Sequence, residues 1–270
     1  MQILEAVAEA ARGFAAYGKH PFTSAVLLAG GIGARMQMQN HMTKQFLALD
    51  GEPVILRTIR MFEQCDDIDE IILVVREEEK PLYPALLTRN ELHKVKKIVV
   101  GGKTRQDSAF AGMLAVSPMS EFIAIHDGAR PLILPEQISR VAQEAYRVGA
   151  AVAASRAKDT VKRTNPSGYV EETPDRSCIW NAATPQIFKT EEYRAAVYLG
   201  REKKLAVTDD ASLVEEIGFP VKMVDIGYQN LKITTPEDLY FAQAVLRMRA
   251  ENGDAHASPM LNLGNPHADI

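Results

Sequence analysis

Few of the features that give a quick functional reading are present in this chain of 270 residues. Its two cysteines, Cys65 and Cys178, form no C-x-x-C pair, and its six histidines show no H-E-x-x-H or comparable ligand spacing. Neither a disulfide framework nor a sequence-encoded zinc site is in view. No apolar run approaches the roughly 18 residues needed to span a bilayer. The N-terminus lacks the basic start and unbroken apolar core of a secretory signal, so the chain reads as cytoplasmic with no membrane partner. Basic excess is also missing: 31 Lys plus Arg stand against 35 Asp plus Glu, a net charge of -4. That balance excludes a nucleic-acid footprint spread over the surface and leaves room only for a local basic site. Both common phosphate-loop signatures fail as well. No Gly-Lys-Ser/Thr closes a loop, and the only near match to Gly-x-Gly-x-x-Gly breaks at Met36.

What remains is a composition of 46% hydrophobic and 24% charged residues, ample for a buried core. Short apolar runs punctuate it: Ser24–Leu28, Ile71–Val75, Ile98–Val100, Phe122–Ile125 and Ala150–Ser155. Between them, Ile55, Ile59 and Phe62, a stretch from Arg105 to Val116, and Ile138, Val141, Ala142 and Ala145 keep helical spacing. Continuous apolar strands alternating with amphipathic helices predict an α/β fold with a mostly parallel three-layer sheet. In such sheets ligands sit beyond the carboxyl ends of the strands. Three loops therefore fall on one rim: Ala29–Arg35 with its close-set glycines, Gly101–Ser108, and His126–Arg130. The first pairs Gly30, Gly31 and Gly33 with the cations Arg35 and Lys44, a combination suited to cradling an anion, although a plain strand-to-helix connection would look similar.

Outside this pattern, residues 1–23 form an N-terminal extension with Ile3, Val7, Ala10 and Phe14 on one helical stripe. Residues 158–181 have almost no core-forming period and carry the turn Asn165-Pro166-Ser167-Gly168, which predicts a projecting hairpin with Trp180 near its base. Such an arm suits a dimerisation device or a simple surface excursion. Further on, Thr208-Asp209-Asp210 and Thr235-Pro236-Glu237-Asp238 read as helix starts, and Leu231-Lys232-Ile233 reads as a short strand. The domain proper spans 24–249, and the tail 250–270 is expected to be disordered.

Taken in order, LLAGGIGARM with TKQFL, GGKTRQDS, HDGARP, DTVKR, DRSCIW, ATPQIF, TDDASLVEEIG and LKITTPEDL resemble the sugar-phosphate nucleotidyltransferases. The likeness is strongest to the 2-C-methyl-D-erythritol 4-phosphate cytidylyltransferase family and covers about Ser24 to Arg249. It implies a Rossmann-like fold, a homodimer locked through the arm, CTP and a small sugar-alcohol phosphate as substrates, Mg²⁺ as cofactor and pyrophosphate as a product. By the same resemblance Arg35, Lys44 and Lys232 are the catalytic cations. Ala29, Gly30, Gly31, Gly33, Gly101, Gly102, Ser108 and Gly128 would surround the nucleotide. Asp127, Arg130, Thr160, Arg176, Thr184 and Thr208 would hold the second substrate, Arg176 and Thr160 reaching across the dimer. No protein-made metal cage is expected; Mg²⁺ would ride mainly on the nucleotide phosphates, with Asp127 nearby. Two positions depart from the family pattern: Lys103 stands where an acid is frequent, and Gly128 where alanine is usual. Ribitol-5-phosphate cytidylyltransferase is the nearest rival within the fold, and a nucleotide-binding module without turnover is the rival of another class.

Overall fold

The computed structural model describes residues 20–31 and 44–257. The expected N-terminal helix lies outside them as far as Lys19, and the strand expected from Ser24 already begins at Thr23. The main elements in order are β1 (Thr23–Leu28), the small antiparallel pair β2 (Ala48–Leu49) and β3 (Glu52–Pro53), α1 (Val54–Glu63), β4 (Glu70–Val75), α2 (Tyr83–Arg89), β5 (Val95–Val100), α3 (Arg105–Ala115) and β6 (Phe122–Asp127). They continue with α4 (Pro135–Val148), β7 (Ala150–Arg156), β8 (Arg163–Thr164), β9 (Val170–Glu172), β10 (Trp180–Lys189), α5 (Thr190–Glu202), α6 (Asp210–Glu216), β11 (Lys222–Asp225) and α7 (Pro236–Glu251).

Seven strands build the central sheet in the order β11-β7-β10-β6-β1-β4-β5. All neighbours pair parallel except β10, which lies antiparallel between β6 and β7. Each strand of the centre feeds both faces because successive side chains point oppositely. Ala25 and Leu27 of β1 join Ile55, Ile59, Phe62, Ile138 and Val141 on one side, while Val26 and Leu28 join Ala109, Met113, Val197 and Val214 on the other. Helices α1 and α4 thus cover one face, and α3, α5 and α6 the opposite one. That two-sided burial is the reason these strands read as unbroken apolar runs. A third cluster, Leu49, Val54, Leu132, Ile233, Ala242 and Leu246, fastens α7 beside the rim.

One strand goes unannounced in the sequence, and two expectations need correction. The segment holding Ala183-Thr184-Pro185-Gln186 is part of β10, a strand that its polar residues and internal proline disguise; the ladder accommodates it through a register shift between Ala182 and Gln186. Leu231-Lys232-Ile233 is no strand but a loop, tied by the Ile233 amide to the carbonyl of Ala129 at 2.8 Å. The tail expected from 250 stays with the fold as far as Ala257, and its remainder, 258–270, lies outside the described residues. Helix α7 runs to Glu251, and Ala257 is buried where the Arg57 guanidinium donates to the carbonyls of His256 and Ala257. A buried cation needs such acceptors, so the tail supplies them. Within the segment expected to form the arm, β8 and β9 pair antiparallel around the turn at Asn165 to Gly168, while Trp180 and Asn181 already belong to β10 of the central sheet. No helix among the described residues is long and apolar enough to cross a membrane.

Candidate active site

Four strands deliver their carboxyl ends to one cavity of about 660 Å³. β1 ends with the Ala29 amide donating to the Val74 carbonyl at 2.7 Å, after which Gly30 and Gly31 pass along the cavity wall. β5 ends with the Gly101 amide donating to Val75 at 2.8 Å, and Thr104 then caps α3 by accepting the Asp107 amide at 3.0 Å. Between them the turn is so tight that a Cβ on Gly102 would sit 2.2 Å from Asp107 Cβ, and one on Gly101 would sit 2.7 Å from Ser108 Oγ. Only glycine allows that approach. The Ser108 hydroxyl accepts the Gly102 amide at 3.2 Å and donates to the Thr104 carbonyl at 3.0 Å, fixing the turn's shape.

β6 ends in Asp127, the electrostatic centre of the site. Its Oδ1 accepts from Arg105 Nε at 3.2 Å, while Oδ2 receives Lys232 Nζ at 2.9 Å and Arg130 Nε at 3.4 Å. Burial alone would raise this carboxyl, but Arg105, Lys232 and Arg130 together hold it well below the usual carboxylate range. Arg105 also reaches Asp210 Oδ2 at 2.6 Å. Burial works against its charge, yet the two carboxylates more than offset that and keep the guanidinium firmly protonated. Three cations therefore face two carboxylates, Asp127 and Asp210, and the cluster carries a surplus of one positive charge at the cavity. An anion is the natural occupant of such a field.

His126 offers no acid–base chemistry here. It is wholly buried, its ring 4.8 Å from Phe62, with Nδ1 at 3.0 Å from Thr184 Oγ1. Burial lowers its pKa to about 3, so the ring is neutral at ordinary pH.

Of the residues singled out from sequence, Gly30, Gly31, Gly101, Gly102, Ser108, Asp127 and Lys232 line the cavity together. Gly33 and Arg35 lie outside the described residues, and for Lys44 only the backbone is described, opening a 3-10 turn, Lys44–Phe46. Ala29 and Gly128 are not on the wall. Gly128 stands behind it, where a Cβ would meet Ile55 Cδ1 at 2.9 Å and the Leu28 carbonyl at 3.0 Å, so the backbone of β1 can lie against it. Arg130 is mostly buried and spends its guanidinium on Asp127 and on the Asn230 carbonyl at 2.9 Å; it stands behind the wall, supporting Asp127. The Thr184 hydroxyl likewise belongs to the scaffold, accepting the Asp127 amide at 3.0 Å. Thr160, Arg176 and Thr208 are exposed and do not reach this cavity within the chain; Arg176 donates to the Lys158 carbonyl at 3.0 Å at the base of the arm.

Arg105 is a cavity-wall side chain that no motif of the sequence singles out. In R-Q-D-S it looks like an ordinary first residue of α3, and its carboxylate partners lie 22 and 105 positions away. No local pattern announces them.

The model of the 2-C-methyl-D-erythritol 4-phosphate cytidylyltransferase family matches residues 23–248. A protein of that name from Desulforamulus reducens is 44% identical over 226 residues, covering 83% of this chain and 96% of the relative. One from Geobacillus kaustophilus is 43% identical over 225 residues, covering 83% and 97%. Among solved structures, the 4-diphosphocytidyl-2C-methyl-D-erythritol synthase of Anaerococcus prevotii is similar with a TM-score of 0.75 at 33% identity, covering 84% of this chain and 96% of that one. The cytidylyltransferase of Thermus thermophilus gives 0.66 at 30% identity, covering 82% and 98%.

Proposed function

Because the chain belongs to the 2-C-methyl-D-erythritol 4-phosphate cytidylyltransferase family, we propose that it joins CTP to 2-C-methyl-D-erythritol 4-phosphate. The products are 4-diphosphocytidyl-2-C-methyl-D-erythritol and pyrophosphate, a step of non-mevalonate isoprenoid precursor synthesis. The observation that carries this reading is the Asp127 cluster: an ionised carboxylate inside three cations, on the same rim as two glycine turns.

A phosphate monoester is largely ionised at neutral pH, so its attack on the α-phosphorus of CTP requires no general base. The barrier lies in bringing two anions into line and stabilising the charge that spreads over the reacting phosphoryl group. Preorganised cations in a water-poor crevice do this with little reorganisation. Lys232, at the cavity wall 2.9 Å from Asp127, and Arg105 beside it supply part of that field. Arg35 and Lys44, by their motif context, supply the part around the triphosphate. The turn at Gly101 and Gly102 offers backbone groups to the base. A neutral His126 fits a reaction that moves no proton at a histidine.

Mg²⁺ fits this site as a cation carried on the nucleotide. Among the described residues no three His, Cys, Asp or Glu side chains converge on one point, and both oxygens of Asp127 already accept from cations. Asp127 would stand near the ion, and the nucleotide phosphates would hold it; the chemistry it would supply is neutralisation of phosphate charge. The working form would be a cytoplasmic homodimer joined through the arm, with Arg176 and Thr160 of one chain serving the crevice of the other.

Purified protein with CTP and Mg²⁺, offered either methylerythritol phosphate or ribitol phosphate and followed by pyrophosphate release, tests the reading. Turnover with methylerythritol phosphate is expected. Turnover with ribitol phosphate alone would move the assignment to the ribitol enzyme, and none with either would leave a nucleotide-binding module.

A further inference from the structure

Asp210 is 2% exposed and yet lies one side chain from the reaction crevice. Its Oδ2 takes Arg105 Nη1 at 2.6 Å, and its Oδ1 takes the hydroxyl of the fully buried Tyr193 at 2.6 Å. Tyr193 in turn stacks on Phe188 of β10, ring centres 5.3 Å apart. The start of α6 is pinned to the same strand: Gln186 Oε1 accepts the amides of Asp210 at 3.1 Å and Ala211 at 2.9 Å, and Gln186 Nε2 donates to Asp209 at 2.8 Å. Asp210 can therefore neither rotate nor retreat. Arg105, by contrast, is a long side chain 30% exposed at the cavity wall, stretched between this fixed carboxylate and Asp127 Oδ1.

We propose that Asp210 is a positioning residue, acting through Arg105 to set the orientation of the Asp127 carboxylate. Both ends of Arg105 have to be anchored for this to work. With Asp210 pulling on Nη1, Arg105 meets Asp127 through Nε alone and on Oδ1 alone, which leaves Oδ2 to Lys232 and Arg130. Without that pull, the guanidinium is free to close on Asp127 with both of its forks, the geometry that arginine and carboxylate prefer. The carboxylate would turn, and Lys232 would lose its partner atom.

The proposal rests on the cytidylyltransferase reading for its kinetic consequence but not for its geometry, so the test has two arms. In crystals of Asp210→Asn, Arg105 should swing fully onto Asp127 and Asp127 Oδ2 should leave Lys232. In kinetics, Asp210→Asn should lower kcat at least about tenfold while KM for CTP moves by less than about threefold, the split expected when a transition-state contact is lost and ground-state binding is kept. Tyr193→Phe, which keeps the volume and the stacking, should shift kcat in the same direction by a smaller factor, and Asp210→Glu should recover part of the rate. Arg105 and Asp127 unmoved in the Asp210→Asn crystals would overturn the proposal. So would a wild-type kcat in the folded variant. A wild-type enzyme that failed to release pyrophosphate would overturn the functional reading instead, and the crystals would still judge the positioning role.

Discussion

The hydroxyl of Thr184 accepts the backbone amide of Asp127 at 3.0 Å, joining the antiparallel strand β10 to the last residue of β6. The same oxygen lies 3.0 Å from His126 Nδ1, and the Thr184 carbonyl accepts Asn230 Nδ2 at 2.8 Å. Thr184 is therefore the strut that fixes where the central carboxylate begins. Thr184→Val keeps the shape and removes the acceptor, leaving a buried N–H unpaired. The cost should be about 1–3 kcal/mol in denaturant unfolding, with kcat lowered as Asp127 shifts, while Thr184→Ser stays close to wild type. A valine variant as stable as the wild type would refute the strut.

Lys232 reaches Asp127 from a loop, 37% exposed, so its ammonium faces both the carboxylate and the cavity. Replacing it with methionine retains most of the stem packing and removes the charge. Loss of one preorganised electrostatic contact typically reduces kcat about hundredfold, and that loss is expected here in the pyrophosphate-release assay, with the melting temperature little changed. A Lys232→Met enzyme within threefold of the wild-type rate would remove Lys232 from the chemistry.

Much of this arrangement is legible in the sequence wherever a residue's role is local. The apolar runs of β1, β4 and β6 announce themselves because both faces of each strand are buried, and the glycines at 101 and 102 because the turn leaves no space for a Cβ. Sequence is silent where the partner is remote. β10 pairs with strands far from it in the chain, and its proline and threonine mask it. Lys232 looks like strand because Leu231 and Ile233 flank it, yet the Ile233 amide bonds to a loop carbonyl instead of a ladder. Arg105 carries its meaning entirely in Asp127 and Asp210, two residues brought to it by the sheet and by α6.

Stability should fall on acidification, and the sign follows from His126. In the folded chain burial lowers its pKa to about 3, whereas an exposed histidine titrates near 6.5. Between those values the unfolded chain takes up a proton that the native one refuses, so stability is present above about 6.5 and drains away as pH falls toward 3. The loss should be about 2 kcal/mol between about pH 7 and pH 5. Asp127, depressed by its three cations, acts in the same direction at still lower pH. Unfolding curves of wild type and His126→Gln across that range check this. The variant should start less stable but show the shallower slope, and parallel curves would mean that His126 is protonated in the native state.

The arm leads to the last prediction. Arg176 sits at its base, exposed, donating only to the Lys158 carbonyl, and neither it nor Thr160 reaches the cavity that holds Asp127 in the same chain. An exposed arginine with one backbone contact contributes little to its own fold, so Arg176→Ala should leave the melting temperature nearly unchanged. If Arg176 serves the crevice of a second copy, the variant should nonetheless be close to inactive. Lys44→Ala should be inactive as well if, as proposed, Lys44 meets the triphosphate. Mixing the two dead variants under conditions that exchange subunits then produces heterodimers in which one crevice carries both defects and the other carries neither. That second crevice should work, restoring up to about half of the wild-type rate per heterodimer. Proven heterodimers with no recovered activity would instead assign Arg176 to the site of its own chain, and would require the arm to fold back over the cavity it now leaves open.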